Sequence, residues 1–555
     1  MDSPYRTAPA SEPASTPRDA GIVDEIVAQF GDPLAFYREL VQNAIDAGTA
    51  AVTIEVADDV AAEAIRVRVR DRGEGMDPDL LENQLLVLFR STKERDPTKI
   101  GKFGIGFASV LAPGPRLVVV DTVRAGRRSI LHLRPDLSFR IFDGGPATHS
   151  GTLVELELAR APLADTDFAR RSGEALVRWC RHAAVPVHFV ARDAAGVATI
   201  DVRIDRALDL EDAVIAVHAV SADGATRAVV GLTRGAAPYA GFFNRGLMLH
   251  ETAAPLVGRV AFKVIDAGLG HTLSRDDVRR DRAFERCLAL VRQVAARELI
   301  GAVAAALAET AEVDRVRWAA LFEAAEQAEL ELDADAWVAP LCAPVADVRT
   351  VAVTRVTTRP IWAATAADPL VAALAVAGVP VLAVAASSTW LSVSRIAARF
   401  DRAIETPTRR LTLVTEVTRT ATDRAWLAAL IDRLDEVLRP PDRVVLATLH
   451  GARAGAVCVT GDAGDALAVT GDGRWILDDE RAIRSPFGPF GRHTLVLAVD
   501  HPVVAAARAR ATTAPVVAAD VIARVILQQH RELDPARSAR LLDLALTAVA
   551  DEDAR

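Results

Sequence analysis

One short segment brings together side chains suited to metal–phosphate chemistry. In FYRELVQNAIDAG (36–48), Glu39 and Asn43 are four residues apart and Asp46 is three further on. At 3.6 residues per turn all three share one helical face. An amide oxygen suits Mg2+, which takes oxygen ligands and keeps several waters. A carboxylate one turn earlier can orient or deprotonate an attacking water. A solvated polar stripe is the plainer alternative. DRGEGM (71–76) directly follows an alternating run. There Asp71 can accept from an exocyclic amine, Gly73 and Gly75 let backbone approach a flat ring, and Met76 can pack on it. An ordinary hairpin turn has the same composition. GKFGIGF (101–107) spaces its glycines by three and two. It is neither GxGxxG nor GxxxxGK[ST], which excludes the dinucleotide fingerprint and the P-loop. A Gly-rich loop entering a helix still offers N–H groups and a positive dipole end to phosphate. Only four of the 65 basic residues are Lys, and three of them, Lys93, Lys99 and Lys102, flank this loop. Lys is a compact, mobile point charge and Arg a rigid fork, so a lid that grips and releases phosphate favours the former.

These residues need a scaffold. IVDEIVAQF (22–30) and 34–47 have helical spacing and flank a GDP break, with Gly48 as a C-cap. AVTIEV (51–56) and IRVRVR (65–70) alternate as strands. DPDLLENQLLVLF (77–89) reads as helix, and 90–107 as a loop closing onto a helix start. RLVVVDTV, RSILHLR, SFRIFD and GTLVELEL (116–158) read as four strands. The expected fold of the first ~160 residues is two-layer α/β, a mostly antiparallel sheet with helices on one side. A helix over 166–183, short strands over 185–270 and helices over 276–331 follow. Strands and helices alternate to 449, strands dominate 455–500, and amphipathic helices close the chain.

In order and spacing, ELVQNAIDA, DRGEGM, IGKFGIGF and HSGTLVEL resemble the four boxes of the GHKL ATPase superfamily, over ~34–158. The superfamily holds gyrase, heat-shock protein 90, histidine kinases and MutL. The resemblance implies a Bergerat sandwich binding ATP and Mg2+. Glu39 would be the general base and Asn43 the Mg2+ ligand. Asp71 would hold the adenine amine, with Gly75 and Met76 lining the ring and Thr152 backing the contact through water. Gly101, Phe103, Gly104, Ile105, Gly106 and Phe107, with the three Lys, would form the phosphate loop; Asp46 and Gly151 match the boxes as well. The segment ahead of the domain contains no His, which disfavours the histidine-kinase branch. RELVQNAIDA and IGKFGIGFAS are closest to heat-shock protein 90 (bacterial high-temperature protein G). FFNRGLMLHE (242–251) and GHTLSRDDVRRDRAFERCLALVRQVA (270–295) resemble that family's middle domain. There the Arg of a short turn reaches the γ-phosphate, and the matching residue is Arg275. The sequence departs from the family in having DD after that Arg and in lacking the charged linker.

The fold class expected is therefore α/β (α+β). A tail (1–20) precedes the ATP-binding domain (21–184). A middle domain follows in two parts (185–335 and 336–440), then a C-terminal domain (441–555) whose helices suit packing or dimerisation. Net charge is −9, which argues against a nucleic-acid coat. Four scattered Cys without CxxC fit a reducing, cytoplasmic setting rather than zinc or disulfides. The uncharged run 369–386 is short of the ~20 strongly apolar residues of a membrane span and reads as buried helix, turn and strand. The leading expectation is a slow ATPase clamp, a homodimer acting on protein clients. The alternatives are a nucleotide-gated DNA clamp of the MORC or MutL type and an ATP-binding regulatory scaffold with little hydrolysis.

Overall fold

The computed structural model describes residues 32–82, 105–163, 167–272, 277–356, 358, 360–384, 403–438, 441–461, 466–470, 472–480 and 494–553. The chain divides into two compact units, Met1–Leu299 and Ile300–Arg555.

In the first unit, helix α1 (Phe36–Asp46) buries Phe36, Tyr37, Leu40, Val41 and Ala44 and turns Glu39, Asn43 and Asp46 away from that core. The elements that follow are β1 (Val52–Asp59), β2 (Ala64–Asp71), the short helix α2 (Ile105–Ala108), β3 (Leu117–Arg124), β4 (Arg127–Leu133), β5 (Phe139–Pro146), β6 (Gly151–Ala159), α3 (Phe168–Cys180), β7 (Val187–Arg192) and β8 (Ala198–Arg203). The eight strands form one sheet in the order β5-β4-β3-β6-β2-β1-β7-β8. Every pairing is antiparallel except β1 with β7. The alternation of IRVRVR has a direct reading here. Ile65, Val67 and Val69 enter a core shared with Phe36, Leu40, Phe107 and Leu176. On the opposite face Arg66 meets Glu155 at 2.7 Å and Asp59 at 2.9 Å, and Arg68 meets Glu155 at 2.6 Å. One apolar face and one charge-laced face make the two-layer arrangement.

Position 184 falls in the loop between α3 and β7, with two strands of this sheet still to come. Val187 and Phe189 are fully buried in the first core, and β7 pairs along β1 from Val52↔Val187 to Ala57↔Arg192. Of the helix expected over 77–89, Pro78–Leu80 forms under an Asp77 N-cap that accepts the Leu80 N–H at 2.8 Å; from residue 83 it lies outside the described residues.

A second sheet in this unit contains β9 (Ala213–Val220), β10 (Thr226–Thr233), β11 (Tyr239–Asn244), β12 (Leu247–Thr252) and β13 (Ala261–Asp266), in the order β12-β11-β13-β10-β9. Helix α4 (Arg282–Val294) starts at Asp281, whose carboxylate accepts the N–H groups of Ala283 and Phe284. Buried Asp266 anchors it by accepting from Arg286 Nη2 at 2.8 Å.

The second unit opens with α5 (Ile300–Val313) and α6 (Arg315–Gln327). Trp318 Nε1 donates to Val338 O and Arg315 Nη2 to Leu341 O, both at 2.9 Å, so these helices pack with the sheet that follows. That sheet joins β14 (Val338–Val345), β15 (Val348–Ala352), β16 (Ile361–Ala364), β17 (Val381–Ala383) and β18 (Ile404–Glu405), with α7 (Pro369–Val376) between β16 and β17. The uncharged run is thus a helix and a strand. Among the described residues no helix is long and apolar enough to cross a membrane. A six-stranded sheet of β19 (Leu411–Glu416), β20 (Arg443–Gly451), β21 (Cys458–Thr460), β22 (Ala468–Thr470), β23 (Arg474–Asp478) and β24 (Thr494–Ala498) packs on α8 (Ala421–Val437). Helices α9 (Pro502–Arg510), α10 (Pro515–Gln529) and α11 (Pro535–Asp553) complete the unit.

Candidate functional site: a helix face and a strand-end turn

Backbone bonds bring the first two motifs together. The Glu74 N–H donates to Ala47 O at 3.0 Å, and the Arg72 N–H to Thr49 Oγ1 at 3.0 Å. Thr49 is buried just past the end of α1, so the DRGEGM turn is fastened to the helix carrying Glu39 and Asn43.

Asp71 ends β2 partly buried. Its Oδ1 accepts the N–H of Gly73 at 2.7 Å and that of Thr152 at 3.3 Å. Oδ2 accepts no hydrogen bond among the described residues. Burial pushes the carboxyl pKa up, and the two backbone N–H groups oppose the rise. The result is an oriented carboxylate with one oxygen open, the acceptor an exocyclic amine requires. The wall behind it is a hydroxyl lattice. Thr122 Oγ1 lies 3.1 Å from Thr152 Oγ1 and accepts the Met76 N–H at 2.8 Å. Thr122, fully buried on β3, borders the candidate site and was not singled out by the motifs. The signal available was a hydroxyl inside the apolar run LVVVDTV. Gly75 takes φ +72°, and a Cβ there would sit 2.0 Å from Val123 O, so only glycine lets the turn lie on β3.

On α1, Glu39 is nearly enclosed, and its Oε1 accepts from Arg38 Nη2 at 2.7 Å. Arg38 is itself buried, with its guanidinium 5.1 Å from the Trp179 ring centroid. The cation fixes where the Glu39 carboxylate points, a contact that i,i+1 neighbours on a helix do not ordinarily make. Asn43 is exposed on the same face. Asp46, which matches the motif either as a site residue or as an architectural one, makes architectural contacts. One oxygen accepts from Gln42 Nε2 at 3.1 Å and the other from Arg245 of the second sheet, so its carboxylate is spent on architecture. Phe107 is held by the core. Its ring is 2% exposed in the core, so it seats helix α2 and leaves only its backbone to a phosphate. Gly106 is in that short helix, its carbonyl accepting from Ser109 Oγ at 2.6 Å. Ile105 begins the helix. Lys93, Lys99, Gly101, Lys102, Phe103, Gly104 and Arg275 lie outside the described residues.

The fourth lysine is described. Lys263 Nζ donates to His182 Nε2 at 3.1 Å, and both side chains are buried. His182 Nδ1 lies 3.3 Å from Arg206 O, which assigns the proton to Nδ1 and leaves Nε2 as acceptor. Burial, then the neighbouring ammonium, pushes the imidazole pKa down to about 4. Among the described residues no group of His, Cys, Asp and Glu is placed to hold a metal ion.

Residues 37–139 match the family model described as histidine kinase-, DNA gyrase B-, and HSP90-like ATPase. This segment is similar to GHKL-type ATPase domains. The match spans α1, the DRGEGM turn and the Gly-rich loop, and stops before Thr152. Curated proteins gave no match. A crystal structure described as the N-terminal domain of a DNA repair protein is similar at TM-score 0.35 and 14% identity, over 49% of this chain and 95% of that one. The mixed α/β architecture is that of a GHKL-type domain followed by further α/β regions.

Proposed function

We propose that the chain binds ATP with Mg2+ between α1 and the DRGEGM turn and hydrolyses it slowly. The observation that carries this reading is the open oxygen of Asp71, held at the strand end beside a helix that presents Glu39 and Asn43. Asp71 Oδ2 accepts from the adenine amine, while Thr152 and Thr122 supply hydroxyls beside it and Met76 an apolar contact. The Asn43 amide oxygen would hold the Mg2+, which neutralises phosphate charge. Glu39, aimed by Arg38, orients and deprotonates the attacking water. The Gly101–Gly106 loop and its three lysines take the phosphates, and Arg275 stabilises charge developing on the γ-phosphoryl group. These last two roles rest on the motif resemblance.

The same resemblance, in 242–251 and 270–295, supports a heat-shock-protein-90-type clamp. In this reading two copies act on protein clients in the cytoplasm. Four free, buried cysteines fit a reducing compartment. Glu39→Ala should keep nucleotide binding and lower turnover by roughly 10²- to 10⁴-fold, measured by phosphate release beside equilibrium binding. Unchanged hydrolysis removes Glu39 as the base. Salt-dependent duplex binding in place of client binding would favour the DNA-clamp alternative.

A further inference from the structure

The turn between β11 and β12 has only two residues, Arg245 and Gly246, because Asn244 pairs directly with Leu247. Both take positive φ, 48° and 83°, as a type I′ hairpin requires. Asn or Gly usually fills the first of these positions. An arginine there sits in a left-handed conformation that costs backbone energy, so its side chain needs a use. The turn is also clamped. The Ala184 N–H donates to Arg245 O at 3.0 Å, and a Cβ on Gly246 would come within 1.7 Å of His182 O. The tip is pressed on the backbone beyond α3, and the direction of Arg245 is set.

From that tip two adjacent side chains reach opposite ways. Arg245 Nη1 donates to Asp46, one helical turn beyond Asn43 on α1. Asn244 Nδ2 donates to Leu269 O at 2.6 Å and Ala267 O at 3.1 Å. Those carbonyls lead into a second hairpin base, in which Thr272 N–H donates to Asp277 O at 2.9 Å and Arg279 N–H to Gly270 O at 2.8 Å. The Asp46–Arg245 pair is 36% and 44% exposed, and an ion pair so open to water adds little to stability. What it does supply is a fixed link between the helix face and that hairpin base.

We propose that the Asn244–Arg245 pair couples occupancy of the ATP site to the segments 266–272 and 277–281, without itself holding the nucleotide. The inference rests on the ATP-binding reading above. A shift of α1 on nucleotide binding pulls Arg245, and Asn244 passes the displacement to the carbonyls at the hairpin base.

The test is hydrogen–deuterium exchange of the full chain with and without Mg2+ and adenylyl imidodiphosphate. In the wild type the analogue slows exchange in 266–272 and 277–281. Arg245→Ala binds the analogue within about threefold of wild type, since an exposed ion pair contributes little, but loses at least half of that protection. The double exchange Asp46→Arg with Arg245→Asp restores it, which a general loss of stability could not do. Full protection in Arg245→Ala, or none restored by the exchange, overturns the coupling. If the wild type takes up no analogue, the ATP reading falls and the coupling with it. If it does and these segments do not respond, only the coupling falls.

Discussion

Asp71 in the first unit, partly buried, and Asp423 in the second, buried, are both carboxylates at the edge of a secondary element, and the occupancy of their oxygens differs. Asp423 has both oxygens occupied. Arg508 donates to Oδ1 and Oδ2 at 2.8 Å each, and Thr420 closes a capping box on Oδ2 through its N–H at 2.9 Å and its hydroxyl at 2.8 Å. Its pKa is driven far below the carboxylate range, with the Arg508 hydrogen bonds the largest cause. Asp71 has two backbone donors on one oxygen and, among the described residues, none on the other, and burial drives its pKa up. A fully satisfied buried acid stabilises the fold, whereas one held by half its capacity is set for a ligand. Asp520 limits the rule. Its Oδ2 also lacks a partner among the described residues, yet that atom is buried on the inner side of α10, where Arg433 holds Oδ1 at 2.9 Å. An open oxygen marks a site only where a turn or cleft leads to it.

The sharpest way to break this contrast is to remove each acid. Asp423→Ala strands Arg508 and opens the cap of α8, and should cost on the order of 3 kcal/mol in a denaturant titration, with ATP binding unchanged. Asp71→Asn should do the reverse. ATP affinity falls about a hundredfold, the loss of a buried hydrogen bond to a charged acceptor, while the unfolding midpoint stays in place. If Asp71→Asn destabilised the chain as much as Asp423→Ala does, both acids would be structural.

Acid separates the units more finely. His182 is held neutral, with its folded pKa lowered from 6.5 to about 4. Its contribution is therefore complete above pH 6.5 and is lost as pH falls through that window, about 2 kcal/mol after allowance for relaxation. The Asp423 contribution is complete above 3.8, its ordinary value, and persists until pH approaches a much lower folded pKa. Exchange measured from pH 7 to 4.5 should show the first unit loosening before the second. His182→Gln should flatten that loss, and equal loosening of both units would contradict it. The smallest effect is at Thr122. Thr122→Val removes the hydroxyl linking Met76 to Thr152 and should weaken ATP binding about fivefold, roughly 1 kcal/mol, in the same binding assay. A larger loss would mean that the turn itself had moved.

Much of the first sheet could be read from the sequence because its strands alternate. AVTIEV and IRVRVR show period two, and the four runs over 116–158 stand out as apolar stretches separated by turns. The helix face carrying Glu39, Asn43 and Asp46 was equally legible from spacing. The tertiary partners were not. Asp46 matches the superfamily motif, but its role is set by an arginine 199 positions away. Phe107 falls in a Gly-rich loop pattern, yet its ring belongs to the core. The return of 187–203 to the first sheet depends on a parallel pairing with β1 that no local signal announces. Thr122 looked like any strand threonine until Met76 and Thr152 were placed beside it.

That distant pairing has a consequence for how the chain is made. β6 lies between β3 and β2, and β1 finds its second neighbour only at β7. A fragment ending at residue 139, the limit of the family match, would split the sheet and leave β2 and β3 with bare edges, which are templates for misassociation. During synthesis the β2 and β3 edges stay unpaired until β6 emerges, and the free edge of β1 until β7, on the order of ten seconds at ordinary translation rates. Closure late in the sequence makes folding of the nucleotide sheet slow and non-local, so the nascent chain would itself be exposed to chaperones before its ATP site exists.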